Sequence, residues 1–150
     1  MKLTSLMLAL VILLTGCAAS GSQFSGVQAY GGNSATLYIF RQSKFVGGGE
    51  CPAMYLSGTK VGCLKNGGYM RVQLQAGSHK LETRNRMLEM GPEPSINFSA
   101  KPGEIVFIEW TVSISNAVAT GAVTGVSASK GFVLTPRNLA VTAMQNLKKS

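Results

Sequence analysis

Apolar and polar positions alternate in several distinct ways along this chain, and each spacing predicts a different element. Leu3 to Leu14 (L-T-S-L-M-L-A-L-V-I-L-L) is a nearly unbroken apolar run behind Lys2. A helix of that length reaches roughly 18 Å, well short of the roughly 30 Å hydrocarbon core, so it reads as an export signal and not as a membrane span. From residue 17 to 34 the apolar positions thin out, charge is absent and Gly and Ser dominate. That composition predicts a flexible linker with an end-to-end distance on the order of 20–25 Å.

The next segments favour strands. Ala35 to Arg41 (A-T-L-Y-I-F-R) is rich in β-branched and aromatic residues and precedes a loop, Gln42 to Glu50, that contains Gly47, Gly48 and Gly49. Ala53 to Leu56 and Lys60 to Leu64 flank Ser57-Gly58-Thr59, where Gly58 can supply a positive φ, so they form a hairpin. After a turn over 65–68, Tyr69, Arg71 and Gln73 alternate with Met70, Val72 and Leu74 in a strand of period two. Ala76-Gly77-Ser78 turns the chain into a further strand, His79 to Arg86, and the short connections favour antiparallel pairing. Pro92 and Pro94 interrupt regular structure over 87–95 before a short strand, Ile96 to Ser99.

Glu104 to Ser113 carries the strongest strand signal, with Val106, Ile108, Trp110 and Val112 on one face and Phe107, Glu109 and Thr111 on the other. It should sit inside a sheet. Thr111 to Ser129 is uncharged; its many hydroxyl and amide side chains favour a loop or weak edge strand over a membrane segment. Thr135-Pro136 starts a short helix, with Leu139, Val141, Met144 and Leu147 as its apolar stripe and Lys148 and Lys149 at its negative end. The whole predicts a mainly β chain: a single antiparallel β-sandwich over 35–150, closed by a short C-terminal helix.

Composition narrows the chemistry. With 45% hydrophobic and 13% charged positions in 150 residues the chain is globular. Its charge is +8, it has one His, and its six acidic residues are all Glu. Few groups remain from which to build acid–base catalysis or a metal site, so no cofactor and no metal is expected. Nucleic acid is excluded as a partner by the exported compartment.

The apolar run closes on Leu14-Thr15-Gly16-Cys17, which resembles the lipobox of bacterial lipoproteins at all four positions. The resemblance implies cleavage after Gly16, a diacylglyceryl group on the Cys17 thiol and an acylated new amino terminus. Two or three long chains make such an anchor effectively permanent. Ala18 behind the lipidated cysteine implies delivery to the outer membrane, facing the periplasm.

A second resemblance covers Leu37 to Glu104. The runs L-Y-I-F-R-Q-S-K-F-V-G-G-G (37–49), Y-L-S-G-T-K-V-G-C-L-K-N-G-G-Y (55–69), V-Q-L-Q-A-G-S-H-K-L (72–81) and K-P-G-E (101–104) are similar to a family of small bacterial lipoproteins known as a domain of unknown function. That family is related in pattern to PEGA sandwich modules. The resemblance implies a transthyretin-like or carboxypeptidase-regulatory-like sandwich and brings no catalytic residues. The chain departs from the pattern at Gln75-Ala76, where the family has Pro before its Gly-Ser-His turn, and after Asn116.

The remaining candidates each carry a structural alternative. Cys51 and Cys63 are expected to form a disulfide, with two buried free thiols as the alternative. A two-residue turn at Ser57-Gly58 would point them to opposite faces; a longer loop or a bulge would bring them together. His79 reads as a structural strand-start residue, since hydrolysis would need a convergent Ser and Glu. The loop at 45–50 is too acidic for phosphate and reads as mobile, with Phe45 and Val46 able to contact a partner. Arg71, Lys80, Arg84 and Arg86 would form either one basic face or ordinary protected strand edges.

These features lead to a lipid-anchored, non-enzymatic envelope module. Its expected partners are the membrane, an envelope protein or an anionic envelope polymer. The alternative is a small-ligand or glycan-binding lipoprotein that uses the loops around Gly47 and Pro92, with Tyr69 or Trp110 as a stacking platform.

Overall fold

The computed structural model describes residues 18–45, 47–84, 93–120 and 123–150, with backbone alone for 114–120 and 123–128. The apolar leader, Cys17, Val46 and most of the irregular stretch expected over 87–95 lie outside the described residues. The elements in chain order are β1 (Ser34–Phe40), β2 (Ala53–Leu56), β3 (Thr59–Cys63), β4 (Gly68–Gln75), β5 (Gly77–Thr83), β6 (Ser95–Ala100), β7 (Ile105–Thr120), β8 (Val123–Leu134), α1 (Arg137–Met144) and β9 (Lys148–Lys149). Among the described residues the strands form a β-sandwich: a four-stranded sheet in the order β3-β2-β5-β6 faces a five-stranded sheet in the order β8-β7-β1-β4-β9.

The core follows from side-chain alternation. On β1, Ala35, Leu37 and Ile39 point between the sheets. Their register partners keep the same parity: Leu37 stands opposite Val72 and Val106, and Ile39 opposite Met70 and Ile108. Met54, Leu56 and Leu81 close this layer from the smaller sheet. The other face of β1 is also apolar, with Tyr38 and Phe40 fully buried beside Phe107 under Ala140, Met144 and Leu147. The larger sheet is thus covered on both faces, and the molecule has three layers.

Several expectations are corrected. The pairing is not purely antiparallel: β1 runs parallel to β7, and β4 parallel to β9. Of the stretch expected as a loop or weak edge strand over 111–129, residues 111–120 lie in β7 inside the sheet and 123–129 in β8, an edge strand, and the register of the pair shifts between Ile114 and Asn116. In α1 the buried residues are Ala140 and Met144, while Leu139 is 58% exposed, so the helix is rotated from the stripe led by Leu139. Lys148 and Lys149 form a strand beside Gly68 and Tyr69 instead of ending the helix.

The largest correction concerns the expected linker. Residues 18–30 lie against the domain. The amides of Ala19, Gly21 and Phe24 donate to the carbonyls of Asn66, Lys149 and Leu147 at 2.9–3.0 Å. Phe24 packs edge-on against Tyr38 and Tyr69, with ring centroids 6.1 and 5.5 Å apart. Gln28 exchanges hydrogen bonds with the Tyr38 hydroxyl, and the Tyr30 amide donates to Thr36 Oγ1. Gly and Ser content suggested a free chain, but Phe24 and Val27 pack on the outer face of β1 and β4, and the Tyr30 ring lies 4.7 Å from the Arg71 guanidinium.

Replacing Phe24 with Ala removes part of this third layer. A fully buried Phe→Ala change costs roughly 3–5 kcal/mol, and half-buried Phe24 should cost on the order of 2 kcal/mol. Urea unfolding of Phe24→Ala should show that loss, with faster amide exchange at Gly21. Wild-type stability and exchange would return the segment to the status of a linker.

Candidate functional site

A recess of about 360 Å³ opens at one end of the sandwich, lined from both sheets by Cys51, Lys60, Cys63, Arg84, Trp110 and Lys130 among others. Local geometry at the β2–β3 hairpin builds one wall. Ser57 and Gly58 both take positive φ (48° and 84°), which makes a tight two-residue turn with Leu56 opposite Thr59. Tyr55 pairs with Lys60, but Met54 pairs with Gly62, so Val61 is an extra residue and the strand bulges. The bulge changes the register by one and puts Cys63 opposite Ala53, on the side of Cys51. The two cysteines are joined as a disulfide with Cα atoms 5.5 Å apart.

Trp110 lies against the recess from β7. It is 2% exposed and meets Phe132 edge-on at 4.9 Å. Its indole Nε1–H is buried without a hydrogen-bond acceptor among the described residues. An unsatisfied buried donor is destabilising. Three cations, Lys60, Arg84 and Lys130, and one carboxylate, Glu50, share the lining. Glu50 pairs with Lys130 at 2.9 Å, and the Arg84 guanidinium lies 4.1 Å above the Tyr55 ring.

Arg41 organises the loop beside this recess. It follows β1 on the parity of Ala35, Leu37 and Ile39 and is only 2% exposed. Its guanidinium donates to the carbonyls of Gly47 (2.5 Å) and Glu50 (2.9 Å), so the glycine-rich loop wraps a buried cation. A Cβ on Gly47, whose φ is 73°, would stand 3.3 Å from Arg41 Nη2. Burial pushes the Arg41 pKa below its ordinary value, and the nearby Glu50 carboxylate works against that shift. The loop read from sequence as mobile is closed by this arginine and by turn hydrogen bonds from Gly48 to Phe45 and from Glu50 to Gly47.

Other sequence candidates are dispersed. His79 Nδ1 lies 3.4 Å from Ser57 Oγ, and its Nε2 lies 2.8 Å from the Gln75 carbonyl. The carbonyl can only accept, so Nε2 carries the proton and Nδ1 can accept from Ser57. A carbonyl stands where a triad has a carboxylate. Tyr69 lies on the opposite face of the larger sheet from Trp110, so the two do not share a platform. Arg71 is on the larger sheet, bonded to Gln28 and stacked on Tyr30, whereas Lys80 pairs with Glu82 on the smaller one. Arg71, Lys80 and Arg84 therefore do not form one basic face; Arg86 lies outside the described residues. No group of three His, Cys, Asp or Glu able to hold a metal occurs among the described residues.

Residues 32–123 match the family model described as Protein of unknown function (DUF2846). The chain belongs to this family. No curated protein and no solved structure matches it. The DUF2846 segment includes β1 to β7, and with them the disulfide hairpin, the Arg41 loop and Trp110. Phe132 and Lys130 fall beyond it, as do the N-terminal segment, α1 and β9, which cover the outer face.

Sequence reasoning missed Arg41, although its signal was present: a charged residue continuing the apolar parity of β1. The unsatisfied Trp110 donor had no such signal, because partners of an indole come from tertiary contacts.

The disulfide closes a short loop, its cysteines 12 residues apart in sequence. For a loop of this size the contribution is about 2–3 kcal/mol. The Cys51→Ser/Cys63→Ser double variant should lose that much in urea unfolding, and thiol titration of unfolded wild-type protein should find both cysteines reactive only after reduction. Reactive thiols at 51 and 63 beforehand would reject the bridge.

Proposed function

We propose that this chain is a lipid-anchored, non-enzymatic protein of the bacterial envelope, working as a structural or adaptor module at the periplasmic face of the outer membrane. The observation that carries the reading is Leu14-Thr15-Gly16-Cys17 directly behind an apolar run too short to span. The thiolate of Cys17 is the group that a lipid-transfer reaction alkylates, and small Thr15 and Gly16 admit an extended backbone to a peptidase. A PEGA-like or transthyretin-like character for the sandwich belongs to the same proposal.

Two features support the adaptor role. Val133, Leu134 and Leu139 are large apolar side chains that stand about half exposed within one short stretch at the end of β8 and the start of α1. Such a stretch suits contact with another envelope component. The Ser57–His79 pair, oriented by a carbonyl and lying on an exposed turn, supports a non-enzymatic reading.

Site-specific photo-crosslinking from position 139 in cells tests both halves. With Cys17 intact, the mature chain should incorporate labelled palmitate and capture an envelope protein or polymer. Cys17→Ala should lose the label entirely and the crosslink with it. A wild-type chain without fatty acid at Cys17 overturns the anchor, and an acylated chain that captures only lipid overturns the adaptor role.

The Trp110 recess favours one second reading, a small-ligand or glycan-binding lipoprotein. Its lining carries Lys60, Arg84 and Lys130 against Glu50, and although Lys130 pairs with Glu50 and Arg84 lies 3.7 Å from Glu82, this balance suits a ligand with anionic oxygens. Trp110 is the only tryptophan, so its emission reports the recess directly. Glucose 6-phosphate should shift that emission saturably and glucose should not; equal silence from both sugars would count against the site.

A further inference from the structure

Phe45 is fully exposed, although it is a large apolar side chain. Its position is set by the fold. The Asn66 side chain grips the preceding residue twice: Oδ1 accepts from the Lys44 amide and Nδ2 donates to the Lys44 carbonyl, both at 3.0 Å. A turn hydrogen bond from the Gly48 amide to the Phe45 carbonyl (3.1 Å) closes the loop. Asn66 also receives the start of the described chain, through its bridge to Ala18 and a 3.0 Å hydrogen bond from the Ala19 amide to its carbonyl. Ala18 directly follows Cys17, and consecutive Cα atoms are about 3.8 Å apart. One asparagine therefore ties the exposed aromatic to the place where an acyl anchor would leave the domain.

Three lysines belong to the backbone at this end. Lys65 adjoins Asn66 in sequence, the Lys148 amide donates to the Gly67 carbonyl, and the Lys149 carbonyl accepts from Gly21. Lys148 and Lys149 are both exposed. Lys44 is engaged elsewhere, its Nζ lying 3.4 Å from the Val112 carbonyl. Nearby carboxylates are occupied: Glu50 by Lys130 and Glu109 by the Gln42 amide.

We propose that the Asn66 end of the domain lies on the bilayer, with Phe45 inserted at the headgroup–acyl boundary and Lys65, Lys148 and Lys149 against anionic phospholipid. This rests on lipidation of Cys17 and adds an orientation to it. An exposed aromatic at an end of the domain that also carries three lysines matches the chemistry of an anionic membrane interface. The contact can be weak by itself, because a tether this short holds the patch at high effective concentration.

The test uses full-length lipidated protein in liposomes of phosphatidylcholine, with or without phosphatidylglycerol, and compares Phe45→Trp with wild type. Wild-type emission comes from buried Trp110 alone, so the added signal reports position 45. Brominated acyl chains should quench that signal roughly twofold or more, and more strongly when phosphatidylglycerol is present. Exchanging Lys65, Lys148 and Lys149 for Gln should remove the dependence on phosphatidylglycerol. An acylated protein that floats with the vesicles while position 45 is open to aqueous acrylamide and unaffected by bromolipid overturns the orientation and leaves the anchor intact. A chain that carries no fatty acid and does not float overturns both. Shielding of position 45 confined to native membranes, without bromolipid quenching, would assign Phe45 to a protein partner and also overturn the proposal.

Discussion

Neither face of β1 can be left to water. Ala35, Leu37 and Ile39 on one side and Tyr38 and Phe40 on the other are all buried, so the sheet built around this strand needs a layer on each side. The β3-β2-β5-β6 sheet supplies the first. Among the described residues the second is assembled from α1, Leu147 and the segment around Phe24. Docking of the residues behind Cys17 is thus a requirement of the core, and the place where the chain would meet its anchor follows from it.

The inner face has a different end condition. Its apolar parity continues from Ile39 to Arg41, and the buried guanidinium must find acceptors; it finds them in the carbonyls of Gly47 and Glu50. A buried charge without such bonds would be strongly destabilising, so the loop is shaped by the arginine's needs. Beside it the sheets part, the disulfide fixes one wall, and Trp110 is left with an unanswered donor. The recess and the Phe45 tip both border this one loop: Arg41 folds its glycine-rich half, and Asn66 holds Lys44 ahead of Phe45.

Much of the fold was legible in the sequence because period-two alternation is a local signal. The faces of β4 and β7, the Ser57-Gly58 hairpin and the short C-terminal helix all follow from residues a few positions apart. Global pairing was not legible: the parallel partnership of β1 and β7 depends on a register between distant segments. The docked N-terminal segment was hidden by composition, because between residues 18 and 34 fourteen polar or small neighbours obscure what Phe24, Val27 and Tyr30 can bury. The bulge at Val61 was only one of several ways to align Cys51 with Cys63, and the sequence offered no means of choosing among them. The role of Asn66 rests on two hydrogen bonds to a loop 22 residues away, which no periodicity encodes.

The pairing of Gln23 with Lys148 joins opposite ends of the polypeptide. Topologies dominated by such remote partners fold slowly, since the intervening loop must be closed before the contact contributes. A chain that emerges amino terminus first cannot complete its third layer until the last residues have arrived. Until then the segment around Gln23 lacks its partner at Lys148, and afterwards it is held against the domain by isolated bridges and backbone hydrogen bonds.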